Sequence, residues 1–512
     1  MPASRLLLPS TALMGALAAL LALPAHGQSL VDLYEAARGY DAAYLGATAQ
    51  YQASLAKAAQ SRAGILPSVG LSAGASSSQQ QLSADGYTIR RGLPTQNAGI
   101  NASQPLYRPA NWASYKQGLR QADIAEATLV LAGQDLVLRV SQAYFDVLSS
   151  QDSLALVRQQ KLGVAEQLAS AKRNFEVGTT TITDTREAQA RYDLVIAQEI
   201  AAENDLQVKK IALDQLVGRS GTQPVPLAAP VVLPTVKPDD MTAWVTQAED
   251  SHPSIQQARL ALEVAGLEVR KAEAGRLPTV DAQLGYNATN NPQGSTTSTS
   301  SGRVRVDAAS IGVVLNMPLF AGFSIENRLK ETLALEEQSR QQLEATRRNV
   351  SQATRTAYLG LLSGAGQVKA LEAAEASSQS ALDANRLGYQ VGVRINIDVL
   401  NSQSQLFQTR RDLAVARYNV LVGNLKLRQA NGSLSAEDLE AINDTLALGG
   451  RASVDSAASP TTPSAATQSP VPVPSNGVFA VEPRQPAPLN PLKPGPVLPP
   501  PVIVPPAPAA PR

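Results

Sequence analysis

Between Thr279 and Met317 hydrophobic and polar side chains take turns. Val280, Ala282, Leu284 and Tyr286 alternate with Asp281, Gln283, Gly285 and Asn287; Ile311, Val313, Leu315 and Met317 alternate with Ser310, Gly312 and Asn316. A period of two puts one class of side chain on each face of a strand, so this stretch predicts a β-hairpin over about 278–319. A fainter version over about 68–107 has Val69, Leu71 and Ala73 going out and Ala98, Ile100 and Ala102 returning. Each run is long enough to cross a bilayer as a tilted strand. The link in the second hairpin, Asn290-Asn291-Pro292-Gln293-Gly294-Ser295 and a Ser/Thr run, reads as a polar outer loop. Tyr107 and Phe320, closing the return strands, suit the membrane interface.

A different pattern follows each hairpin. No proline occurs between Pro109 and Pro224, nor between Pro318 and Pro460, and both stretches are rich in Ala, Leu, Gln, Glu, Lys and Arg. These residues favour helix, and the stretches predict long helices over about 111–177 and 324–391. At 1.5 Å per residue each would extend about 100 Å, which suits coiled coils and helical tubes rather than a globular core. Gly178 and Gly392 are expected to end them with left-handed backbone where the chain reverses. New helices then run over about 184–217 and 398–430.

The two patterns belong to one repeated unit. Ala63-Gly64-Ile65-Leu66-Pro67-Ser68-Val69 recurs as Ala274-Gly275-Arg276-Leu277-Pro278-Thr279-Val280, and Gln104-Pro105-Leu106-Tyr107 as Met317-Pro318-Leu319-Phe320. Ala143-Tyr144 recurs as Ala357-Tyr358. Phe175-Glu176-Val177-Gly178 with Ile182 and Asp184 recurs as Tyr389-Gln390-Val391-Gly392 with Asn396 and Asp398. Order is kept and the matched residues stay about 210 apart, the mark of an internal duplication. The repeats are assigned to 28–220 and 253–446, joined by a proline-rich connector over 221–252. From about 449 to 512 the chain turns to Pro, Ala, Ser and Val, a composition that cannot bury a core and predicts a disordered tail.

Composition narrows the setting. Arg5 precedes an apolar run from Leu6 to Leu23, and Pro24-Ala25-His26-Gly27 offers the small residues that a signal peptidase reads. Residues 1–27 are therefore expected to be a signal peptide, cleaved before Gln28. No later run of about 20 apolar residues provides a membrane helix. The chain has no cysteine, which rules out disulfides, thiolate metal sites and an N-terminal lipidated cysteine. Its net charge of +1 gives no footing for nucleic acid. With only two histidines, His26 and His252, neither a zinc site nor a Ser/His/Asp triad can be built, and no metal or cofactor is expected. His252, before Pro253, reads as the start of a helix capped by Ser251 or a neighbour. The phosphate-binding, zinc-protease and nucleophile-elbow motifs are absent, so no enzymatic activity is expected. At 4% aromatics, large compact cores are less favoured than an extended architecture.

Four membrane strands cannot close a barrel, and an open sheet edge cannot face lipid. The barrel must then be shared between chains. Two chains would give eight strands around a filled interior, and three would give twelve around a lumen. A conduit implies at least a trimer.

With these motifs in register, the chain resembles the TolC family of outer-membrane efflux and secretion channels, in its non-lipidated branch, over about residues 28 to 446. The carriers are A-G-x-L-P-[ST]-V, P-L-[YF] and [FY]-x-V-G followed by an aspartate, each twice. The resemblance implies a membrane α+β fold and a homotrimer in the bacterial outer membrane. Four strands per protomer would join a twelve-strand β-barrel, and the long helices would form a periplasmic coiled-coil α-barrel. It implies a periplasmic adaptor and an inner-membrane pump of the RND or ABC type as partners, with outer-membrane lipid around the barrel. It also places the helix reversals at the periplasmic tip, closed at rest by links between neighbouring coiled coils that match Thr183, Asp184, Tyr389 and Arg394. Arg394 can fork onto Asp184, and the Tyr389 hydroxyl can donate to the same carboxylate. Asp398 falls at the pore constriction, where a ring of carboxylates would favour cations. A second aspartate frequent in the family is replaced by Asn401, so a single ring is expected. The cargo stays open between small toxic compounds and secreted proteins. A trimeric coiled-coil stalk or adhesin is the alternative; it would conduct no ions.

Overall fold

The computed structural model describes residues 28–84, 86–227, 237–294 and 302–443. The expected signal peptide, the tail, the Ser/Thr run of the second hairpin and the middle of the connector lie outside the described residues.

Each repeat opens with a short helix and a longer one. α1 (Leu30–Tyr40) and α2 (Ala42–Arg62) lead into β1 (Ser68–Ala84) and β2 (Tyr87–Tyr107), then α3 (Pro109–Glu176) and α4 (Ile182–Val217). The second repeat opens with α5 (Met241–Ser251), a helix within the stretch expected to be connector, and runs on through α6 (Pro253–Ala274), β3 (Thr279–Asn291), β4 (Val304–Asn316), α7 (Ser324–Gln390) and α8 (Asn396–Ala430); α9 (Glu437–Asn443) follows. At 68 and 67 residues, α3 and α7 are each about 100 Å long. No helix among the described residues is long and apolar enough to cross a membrane.

The hairpins merge into one antiparallel sheet of order β1-β2-β3-β4. Its register lines up the alternation across all four strands. Leu71 stands beside Ile100, Ile100 beside Tyr286 and Tyr286 beside Ala309; the next row is Val69, Ala102, Leu284 and Ile311. This apolar face is open: Leu71 is 79% and Ile311 87% exposed. Apolar side chains aligned and left outside are what lipid contact requires. On the other face asparagines lie over glycines. The Asn101, Asn97 and Asn287 Oδ1 atoms come within 3.2, 2.8 and 2.9 Å of where a Cβ on Gly70, Gly74 and Gly99 would stand.

The ends of β4, α4 and α8 depart from the sequence expectation. β2 continues through Pro105 to Tyr107, beyond its pairing with β1 and paired there with β3 alone, with an irregularity between Pro105 and Tyr107. β4, paired along one edge, stops at Asn316, so Phe320 lies beyond the strand, packed edge-on against Phe323. Helices α4 and α8 also begin two residues before Asp184 and Asp398, which occupy the third helical position rather than the cap.

The largest apolar cluster lies where the short helices meet α3, α4 and α8, around Leu30, Leu33, Leu136, Tyr144, Phe145, Leu148, Leu213, Leu421 and Leu425. The repeated tyrosines tie the connector to two clusters, Tyr144 to this one and Tyr358 to a second around Trp244, Leu361 and Leu413. The Tyr144 hydroxyl accepts from the Val225 N–H at 2.9 Å and lies 3.0 Å from the Val225 carbonyl; its counterpart Tyr358 donates to Asp239 at 3.2 Å. Trp244 Nε1 donates to the Pro238 carbonyl at 2.9 Å. His252 itself caps α6: its Nδ1 accepts from the Ser254 N–H at 3.0 Å, and burial holds the imidazole below its ordinary pKa of 6.5.

Candidate functional site

The site is built from the two helix reversals. In copy one, Gly178 takes φ 79°, its N–H donates to Phe175 O at 3.0 Å, and the Thr179 N–H donates to Asn174 O at 2.8 Å. In copy two, Gly392 takes φ 78°, with Gly392 donating to Tyr389 O at 3.2 Å and Val393 to Gly388 O at 2.9 Å. Both are Schellman closures, which satisfy the last helical carbonyls and need a residue that tolerates left-handed backbone.

The restart of the helix differs. Thr181 caps α4 and forms a capping box with Asp184, whose carboxylate accepts from the Thr181 N–H and hydroxyl, both at 3.0 Å. At the same place in copy two stands Ile395, which has no side chain to offer as a cap. Asp398 is thereby left to Arg394, whose Nη1 lies 3.6 Å from it in a loose, exposed pair. Gly388 is buried beneath that arginine, and a Cβ there would come within 2.7 Å of Arg394 Cγ. The copy-one counterpart of Gly388 is Asn174.

Within one chain the carboxylate of Asp184 is therefore held by its own cap, and Arg394 turns to Asp398. The physical reason is local: an aspartate at the third helical position reaches back to the cap and faces the positive end of the helix dipole. Links between the copies come from other pairs. Asn174 Nδ2 donates to the Tyr389 hydroxyl at 3.2 Å, and Arg191 Nη2 donates to Asn401 Oδ1 at 2.9 Å. Thr183 is exposed on the first turn of α4. Neither Asn174 nor Arg191 is conspicuous in the sequence; the one signal was that Asn174 occupies the repeat position of Gly388.

Below the tip α3 and α8 form a seam with polar groups set among apolar ones. Val157, Val164, Leu168 and Ala171 pack with Leu400 from the other copy. Asn396 is 2% exposed; its Oδ1 accepts from Gln167 Nε2, while its Nδ2 is buried without a partner. Among the described residues no group of His, Asp or Glu is placed to hold a metal.

A membrane-width sheet with an apolar outer face, continuing into helices that reverse at paired polar tips, defines a class of channel proteins that carry a tunnel away from the membrane. The chain belongs to the outer membrane efflux protein family, whose model matches residues 33–219 and 244–433. It is 32% identical to the outer membrane protein TolC of Vibrio cholerae, over 81% of this chain and 93% of that one. It is 29% identical to the alkaline protease secretion protein AprF of Pseudomonas aeruginosa, over 84% and 90%. Its fold matches the solved structure of CusC with a TM-score of 0.69 at 20% identity, over 79% of this chain and 92% of that one. VceC of Vibrio cholerae matches with a TM-score of 0.67, also at 20% identity, over 79% and 96%. The protein is an outer-membrane exit duct.

Proposed function

We propose that three chains assemble the duct and that it opens at the helix reversals. The observation that carries this is the sheet: β1 and β4 each have one neighbour among the described residues, while the face between them is apolar and exposed. Unpaired edges in lipid cost several kcal/mol per backbone group on the order of magnitude expected for hydrocarbon, so β1 of one chain pairs with β4 of the next. Three chains give twelve strands and a lumen. The long helices continue it into the periplasm, where the tip meets an adaptor protein and, through it, an inner-membrane pump of the RND or ABC class. The pump supplies the energy and the duct supplies the passage.

Thr183, Asp184, Tyr389 and Arg394 form the gate region, and Asp398 lines the constriction. Threefold symmetry turns Asp398 into a ring of carboxylates that favours cations; Asn401, engaged with Arg191, adds no second ring. The relatives are named for protease secretion and for efflux, and both cargo classes suit a duct whose selectivity lies in its pump. The test is the mass of the detergent-solubilised protein together with ion currents in planar bilayers. A three-chain mass with discrete conductance steps is expected. A monomer or dimer would overturn the barrel, and a trimer that never conducts would favour a stalk.

A further inference from the structure

At the periplasmic end of the sheet, an open cleft of about 400 Å³ lies between the end of β2, the first turns of α3 and the last turns of α6. Its upper wall is apolar and aromatic: Leu106, Tyr107 and Trp112 are all about half exposed. Tyr107 stands across from Val280, and Val280 across from Leu315, so Tyr107 belongs to the outward, lipid-facing row. Its lower wall is cationic. Lys116 lies one helical turn below Trp112 on the same side of α3, and Arg270 faces it from α6, with Leu267 between. Both cations are exposed, and among the described residues neither pairs with a carboxylate. Of the carboxylates around them, Glu263 is committed to Arg120, Glu268 to Lys271 and Arg328, and Glu336 to Arg340, while Glu273 lies exposed one turn on from Arg270.

We infer that this cleft is a binding site for the headgroup of an anionic phospholipid of the periplasmic leaflet, and the inference rests on the outward face lying in the membrane. An acyl chain follows the apolar row past Tyr107 and Leu106, the glycerol region meets the Trp112 ring, and the phosphate lies between Lys116 and Arg270. Aromatic residues at the interface with unpaired cations just beyond them form the pattern that an anionic headgroup fits. The cleft sits beneath β2 and β3, the two central strands, one strand in from each open edge. Neighbouring chains joining at β1 and β4 therefore leave the membrane side of this position clear. The site occurs once per chain: at the repeat offset Trp112 and Lys116 correspond to Ile325 and Leu329, and Arg270 to Ala59.

The chain has two tryptophans, and Trp244 is buried, so a Trp244→Phe variant reports from Trp112 alone. The experiment is quenching of its fluorescence in vesicles by brominated phosphatidylglycerol and, at equal mole fraction, by brominated phosphatidylcholine. Stronger quenching by the anionic lipid is expected. Lys116→Gln with Arg270→Gln should erase that difference and leave quenching by phosphatidylcholine unchanged. Equal quenching by the two lipids, or a preference that survives the double variant, would overturn the site with the rim still in the membrane. Absence of quenching by either lipid would overturn the membrane placement as well. Loss of the preference on adding glycerol phosphate in millimolar excess would show a soluble phosphate site instead. If Trp244→Phe fails to assemble, the same comparison is made on the native pair, since buried Trp244 contributes a constant background.

Discussion

Asp41 caps α2 at the root of copy one, and at the same place in copy two His252 caps α6. The carboxylate accepts from the Tyr44 N–H at 2.8 Å and takes a forked bond from Arg139 at 2.8 and 3.1 Å, which holds its pKa below 3.8. The imidazole serves as a cap only while its Nδ1 is unprotonated and can accept. At the far end the asymmetry returns in another form, with a Thr181–Asp184 box in copy one and, in copy two, Arg394 lying over Gly388 toward an uncapped Asp398. Duplication thus kept the scaffold and let the ends diverge. At the tip, copy one restarts its helix with a local, self-sufficient box, whereas copy two leaves polar groups available for exchange. A gate needs the second kind of end, because bonds that must break on opening cannot also be what holds the helix together.

The comparison can be broken most directly at Arg394. Arg394→Ala, and Tyr389→Phe, should raise single-channel conductance several-fold in planar bilayers, whereas Thr180→Ala, the copy-one counterpart of the arginine change, should leave it alone. Equal behaviour of the two copies, or no rise in either copy-two variant, would remove the gate from the second reversal. Next in size is Asp398→Asn, expected to lower the cation-to-anion permeability ratio read from the reversal potential under a salt gradient. Asp184→Asn should move it much less, since that carboxylate is turned back on its own cap.

Smaller effects test the caps. Thr181→Ala should cost about 1 kcal/mol of local stability, visible as faster amide exchange in the first turn of α4. Ile395→Thr should slow exchange in α8 by supplying the missing cap, and by drawing Asp398 away from Arg394 it should raise conductance slightly. The smallest effect concerns pH. The folded pKa of His252 lies below 6.5, so the unfolded chain binds the proton first and stability is lost as pH falls from 6.5 through the folded value. The contribution of Asp41 is present above 3.8 and disappears only as pH falls below that. Protection from exchange at the root of α6, relative to the intrinsic rate at each pH, should therefore fall between pH 7 and 5 while that of α2 does not, and His252→Asn should abolish the difference.

Much of this architecture is legible in the sequence because it rests on local rules. Freedom from proline over more than a hundred residues gives α3 and α7, period two gives the strands, and Gly178 and Gly392 mark the turns. Pairing of β2 with β3 is not legible, since Ile100 and Tyr286 come together only through the folding of two repeats. The same limit applies at the tip. Thr181 and Asp184 have the spacing of a capping box, which is local, but Asn174 reaching Tyr389 and Arg191 reaching Asn401 depend on how two coiled coils lie side by side. A spacing rule sees one helix at a time.

The asparagines on the inner face of the sheet lie down rather than stand up. Gly70, Gly74 and Gly99 provide the hollows into which Asn101, Asn97 and Asn287 settle, so the wall is thin where a row of upright side chains would have thickened it. In the proposed ring of three such sheets, the glycines would set the width of the bore. An alanine at any of them would raise an amide into that bore, a constriction that the proposed threefold assembly would repeat in every copy.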